Sequence, residues 1–142
     1  MEFLALIAFA GVRVATGLFF AISGYHKIFN PARHQSLVDT LATDGIPVPR
    51  YSAWLVAISE FVFGITLVVG LLTQLSALVL LVICTVATAV DGLKRVRGMH
   101  PIDRADLVDD LLYLPEVTYI LLLILFVTNG GSALSIDALI FP

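Results

Sequence analysis

The chain has 142 residues, 59% of them hydrophobic and 13% charged, with a mean hydropathy of +1.00 and a formal net charge of −3. A water-soluble domain cannot cover that much apolar surface with so few polar side chains, so the composition places the chain in a membrane. Its sparse basic residues form no stripe, which argues against nucleic acid as a partner, and the single cysteine, Cys84, excludes an internal disulfide and any C-x-x-C redox or zinc motif.

Four runs are long enough to cross a bilayer, for which a helix needs about 20 mostly apolar residues. They lie at roughly Phe3 to Tyr25, Tyr51 to Leu71, Leu75 to Val90 and Leu107 to Val127. The first has Glu2 where a signal peptide has basic residues, and it carries Arg13 inside its apolar run, so it reads as retained. Asn30-Pro31 ends it, and Gly45, Pro47 and Pro49 set up the second span. Between them, Ala32 to Thr43 predicts a short amphipathic helix with Leu37, Val38 and Leu41 on one side, lying at the membrane surface. Leu71 to Gln74 is a tight, uncharged turn, and residues 91–110 form a polar loop carrying both signs. No repeat or low-complexity linker interrupts the chain. The expectation is one all-α domain over residues 1–142: an integral membrane four-helix bundle with an interfacial helix between the first two spans.

Basic residues outside the spans are asymmetric. Lys27, Arg33 and Arg50 fall in the first loop and Lys94, Arg95, Arg97 and Arg104 in the third, with none in the N-terminus, middle turn or C-terminal tail. The positive-inside rule then makes loops one and three cytoplasmic and both termini external, in an inner (cytoplasmic) membrane.

Arg13 lies near the middle of the first span and Glu60 near the middle of the second, which runs antiparallel, so counting puts them at the same depth. An unpaired charge there costs roughly 2.5 to 3.5 kcal/mol on insertion scales. An Arg13–Glu60 ion pair is therefore expected. Lys27, Asp91 and Glu116 form a second tier, with Lys27 about 21 Å from Arg13 along a continuous helix. Glu116, just after Pro115, is within reach of either tier. Arg13, Gly17, Phe20, Gly24 and Lys27 share one helix face, as do Ala53, Ala57, Glu60 and Gly64, which predicts an interior polar column between closely packed helices.

Each of these residues also has a structural reading. An Arg13–Glu60 pair can fix helix register without doing chemistry. Lys27 and Asp91 read more simply as helix-end anchors, and Tyr25 and His26 more simply as aromatic-belt side chains than as contacts to a ligand head group, with Trp54 similarly placed. Cys84 is most simply a small packing residue. His34 and His100 fall in loops, and three scattered histidines with one thiol make no metal or haem ligand set.

The chain resembles the DoxX family, small four-helix membrane proteins of bacteria and archaea related to the DoxD subunit of thiosulfate:quinone oxidoreductase. The likeness rests on R-x-x-x-G-L-F-F-x-x-S-G-x-x-K at Arg13 to Lys27, G-I-P-V-P at Gly45 to Pro49, and the spacing of Ala53, Glu60 and Gly64. It continues with G-L-L-T at Gly70 to Thr73, Glu116, and N-G-G-S-A-L-S-I-D at Asn129 to Asp137. Phe63 and Gln74 stand where the family often has a glycine and an arginine.

The resemblance implies a membrane component of thiol or sulfur oxidation or of oxidative-stress systems. The leading expectation is a quinone-interacting subunit with Arg13, Glu60 and Glu116 as candidates for chemistry and Arg13, Tyr25, His26, Lys27, Trp54 and Glu60 as candidates for contacting the quinone. A carboxylate held among helices is poised to carry a proton unless a cation sits close to it. No constellation for an independent enzyme is present. Two alternatives stand beside it: a non-catalytic scaffold whose cytoplasmic loops hold a soluble oxidoreductase, and a small transporter that dimerises to enclose a path.

Overall fold

The computed structural model describes residues 2–141, and among these every regular element is helical. Helix α1 runs over Glu2–Phe29 and stops at Asn30, whose side chain accepts from the amides of Ala32 (3.0 Å) and Arg33 (3.3 Å) and so starts α2, Pro31–Thr43. Proline opens α3 too, Pro49–Val69, and Gly70 closes it in the left-handed region at φ 73°. Helix α4, Thr73–Ala87, passes through one π-helical turn, Thr88–Gly92, into α5, Leu93–Gly98. Asp91 therefore lies within a 26-residue rod, Thr73–Gly98, and does not end it.

Helix α6, Arg104–Tyr113, and α7, Pro115–Asn129, meet at a 71° bend. The continuous fourth span expected over 107–127 is thus broken. Proline clashes with a helical residue before it, and Leu114 accordingly takes an extended conformation (ψ 126°). Apolar residues flank this break on both sides of Pro115-Glu116, so averaged hydropathy does not reveal it. Helix α8, Ile136–Ile140, ends the described chain. Helices α1, α3 and the α4–α5 rod are each long and apolar enough to cross a membrane, and α6 with α7 supplies a fourth crossing if the bent pair is one span.

Helices α1 and α3 pack most closely, because small residues line their contact. A Cβ on Gly17 would lie 2.7 Å from the Val68 nitrogen, and one on Gly24 would meet the backbone of Ala57 and Phe61. Helix α4 packs on α7 and α3. The core between them is Phe20, Leu67, Ala77, Leu80, Cys84, Leu123 and Phe126, with the Phe9 ring edge-on to Phe126 at 5.4 Å.

The glycine contacts fix the α1–α3 register: Gly17 faces Gly64 and Val68, and Gly24 faces Ala57 and Phe61. The first turns of α1 consequently project past the end of α3. Helix α2 and the ends of α1 and α5 share one end of the molecule with the start of α7, while the Leu71–Gln74 turn and the tail share the other. We call these the basic end and the tail end.

Candidate functional site

Arg13 and Glu60 do not meet. Glu60 is met on α1 by Ser23, ten residues beyond Arg13, and by Lys27 further on, so the two charges sit about 15 Å apart along the helix. Counting from the span centres assumed that α1 and α3 are flush, and their offset register is why the expected pair fails. Both side chains are nonetheless buried, Arg13 at 3% exposure and Glu60 at 5%. Each has found a different partner.

At the tail end, Arg13 donates through Nη1 to the Gly131 carbonyl and through Nη2 to that of Leu134 (2.8 Å). The tail folds back to offer them, turning at Gly130 (φ 71°). Asp137 accepts from the Leu72 and Thr73 amides at 2.6 and 2.8 Å, capping α4, while its own amide donates to the Gly70 carbonyl at 2.9 Å. A Cβ on Gly70 would lie 2.6 Å from the Ser135 Cβ and 3.0 Å from the Arg13 Cζ, which leaves room only for glycine. Burial acts to push the Asp137 carboxyl up, but the Thr73 amide and hydroxyl, the Leu72 amide and the Arg13 guanidinium together hold it below the usual carboxylate range. Arg13 is thus committed to structure.

Toward the basic end, Glu60 Oε2 accepts from Lys27 Nζ at 2.6 Å and from Ser23 Oγ at 3.0 Å. This pair is the wall between two cavities. One, of about 190 Å³, lies among α1, α3, α4 and α7 and is lined by Phe19, Phe20, Tyr119, Cys84 and Glu116. The other, of about 280 Å³, is an apolar cleft among α2, α3 and α4, and it shares Lys27, Glu60, Ile83 and Ala87 with the first. Phe19 and Tyr119 stack at 4.2 Å.

Glu116 reaches neither Arg13 nor Lys27. Its Oε1 accepts from Arg95 Nη2, and Arg95 Nε bridges on to Asp91 at 3.0 Å. The buried Glu116 Oε2 has no hydrogen-bond partner among the described residues. Tyr25 and Trp54 stay at the periphery, 49% and 40% exposed. Trp54 packs on His34, which lies in α2, with ring centres 4.4 Å apart, a contact the sequence reading missed. The side chains brought together are therefore Lys27 and Glu60, joined by Ser23, Cys84, Glu116 and Tyr119.

The polar groups form no column. Phe20, Leu67, Leu80 and Leu123 fill the space between the Arg13 and Glu60 levels. Each level is nevertheless built from residues of the motifs noted in the sequence. A family model described as DoxX matches residues 8–91, more than half of the chain. The chain belongs to the DoxX family. In this DoxX protein the matched segment contains Arg13, Ser23, Lys27, Glu60 and Cys84, so the cavity wall lies largely within it, whereas Glu116, Tyr119 and the tail lie beyond. No curated protein and no solved structure matches the chain.

Proposed function

We propose that this DoxX protein is the membrane subunit of a quinone-linked system that oxidises thiols or reduced sulfur, and that it holds the quinone head group at the Lys27–Glu60 wall. The observation that carries the reading is that wall: a buried ion pair between an aromatic-sided cavity and an apolar cleft.

The residues suit such a group. Lys27 Nζ spends one N–H on Glu60 and keeps two to donate toward a ligand carbonyl. Phe19, Phe20 and Tyr119 offer faces to a flat ring. Leu37, Leu41, Val56 and Val86 line the cleft with aliphatic surface suited to a prenyl tail. Glu60 and the unpartnered Glu116 oxygen can accept hydrogen bonds from the hydroxyls of the reduced head group. A bound quinone would take up two electrons and two protons to become the quinol, the electrons coming from a reduced thiol or sulfur donor. Cys84 supplies a polarisable wall.

The positive-inside rule places the basic end in the cytoplasm and both termini outside an inner membrane. Glu60 and Glu116 then lie toward the cytoplasmic side. The apolar layer of Phe20, Leu67, Leu80 and Leu123 favours this reading over a transport path through one chain.

Titration of the purified protein with a menaquinone or ubiquinone analogue tests it. Lys27→Gln and Glu60→Gln each weaken binding about tenfold or more, the value of a hydrogen bond to a charged group. Arg13→Gln, in whatever fraction folds, binds as the parent does. Absence of saturable binding, or binding indifferent to the changes at Lys27 and Glu60, contradicts the proposal.

A further inference from the structure

A third cavity, of about 230 Å³, lies between the last turns of α1 and the first turns of α2. Its polar lining is unusual for this chain. His26, Lys27 and Arg33 surround it with the hydroxyls of Ser23, Ser36 and Thr40, and no carboxylate lines it. Glu60, behind Lys27, is the nearest acid identified by contact, and it already accepts from Lys27 and Ser23. Helix α2 sorts its charges between two sides. The neighbouring groove on its other side is lined by Asp39, Asp44 and Asp91 with Lys94, and there Asp39 accepts from Gln35 at 2.8 Å and Asp44 pairs with Lys94. Arg33 and His26, both exposed at the mouth of the cavity, donate their side-chain N–H groups to no acceptor among the described residues.

Arg33 also stands in the first turn of α2. Asn30 already caps the Ala32 and Arg33 amides, but the helix dipole still opposes a cation there, so an anionic occupant would offset the guanidinium charge. A guanidinium, an ammonium with spare donors, an imidazole and the Ser36 hydroxyl match the several acceptor oxygens of a tetrahedral oxyanion. We propose that this cavity is a phosphate-class oxyanion site, filled by the head group of an anionic lipid or by the free ion. The site needs no quinone, so it stands or falls separately from the reading above.

Two arms of one experiment distinguish the sources. In non-ionic detergent, inorganic phosphate is titrated against sodium chloride of matched ionic strength while the melting temperature is followed; specific binding to the native state raises it beyond the chloride control, rising with the logarithm of phosphate above Kd. In nanodiscs of phosphatidylglycerol or phosphatidylcholine, native mass spectrometry counts the lipids that stay attached. A phosphate effect beyond that of chloride identifies the free ion as a ligand, and selective retention of phosphatidylglycerol identifies the lipid. In whichever arm responds, Arg33→Gln weakens the effect about tenfold, while Arg50→Gln, the same charge change on a likewise exposed arginine that does not line the cavity, leaves it intact. Ser36→Ala, which removes a donor but no charge, weakens it by a smaller factor and serves should Arg33→Gln not fold. The proposal is overturned if neither arm responds or if Arg50→Gln acts as strongly as Arg33→Gln.

Discussion

Glu60 and Lys27 are unequal members of their pair, because the carboxylate is buried at 7% side-chain exposure and the lysine keeps 25%. Removing the cation strands a charge in a dry site, which typically costs about 3–5 kcal/mol, whereas removing the acid frees a lysine that can swing toward the interface. We therefore expect Lys27→Met to lower the melting temperature far more than Glu60→Gln, and the double variant to recover most of the loss; equal single effects that simply add would refute the coupling. Arg13→Gln abandons two carbonyls and should cost about 2–4 kcal/mol. Asp137 gives the pH dependence. Its carboxyl is held below the usual range, so its contribution is complete above the unfolded value near 3.9 and is lost as pH falls through the lower folded value. Asp137→Asn should remove that acid-side loss from a plot of stability against pH. At this scale the sequence showed that Arg13 and Glu60 need partners, since bare charges in a membrane are costly. It did not show which partners, because the answer depended on a helix offset of several residues.

The offset itself belongs to the helices and is set by glycines. Gly24→Ala puts a methyl onto the α3 backbone and should destabilise by about 1–3 kcal/mol, while Gly11→Ala, with nothing within 4 Å of the added carbon, should be neutral or stabilising by up to about 1 kcal/mol through helix propensity. Thermal melts of the two variants check this, and similar shifts would contradict the packing described. Leu72 holds φ 47° at the start of α4, so Leu72→Gly should relieve strain and raise the melting temperature. Small residues at spacings of three and four made the α1–α3 contact legible in advance. The break at Leu114 was not, because the window around Pro115 stays apolar on average despite Glu116, and a proline alone does not say whether a span bends or ends.

Over the whole molecule, two polar clusters close opposite ends of an apolar core, and they divide the labour. The tail-end cluster of Arg13, Gly70, the Leu72–Thr73 amides and the returning tail locks the helices together. The Lys27–Glu60 wall, with cavities on both sides, is the part free to meet a ligand. The sequence showed the class, the helical spans and the charge asymmetry, since these follow from composition and order along the chain. It could not show that N-G-G-S-A-L-S-I-D is the receptor for Arg13, because that contact joins residues about 120 positions apart, although the glycines and the ensuing carbonyls were the available signal. The account is tested most directly by photolabelling the protein in lipid with an azido-quinone and mapping the modified residues. Labels on Phe19, Phe20, Ile83, Ala87 or Tyr119, diminished by Glu60→Gln, are the predicted result; labels confined to the tail end around Leu72, Ser132 and Ala138 would contradict it.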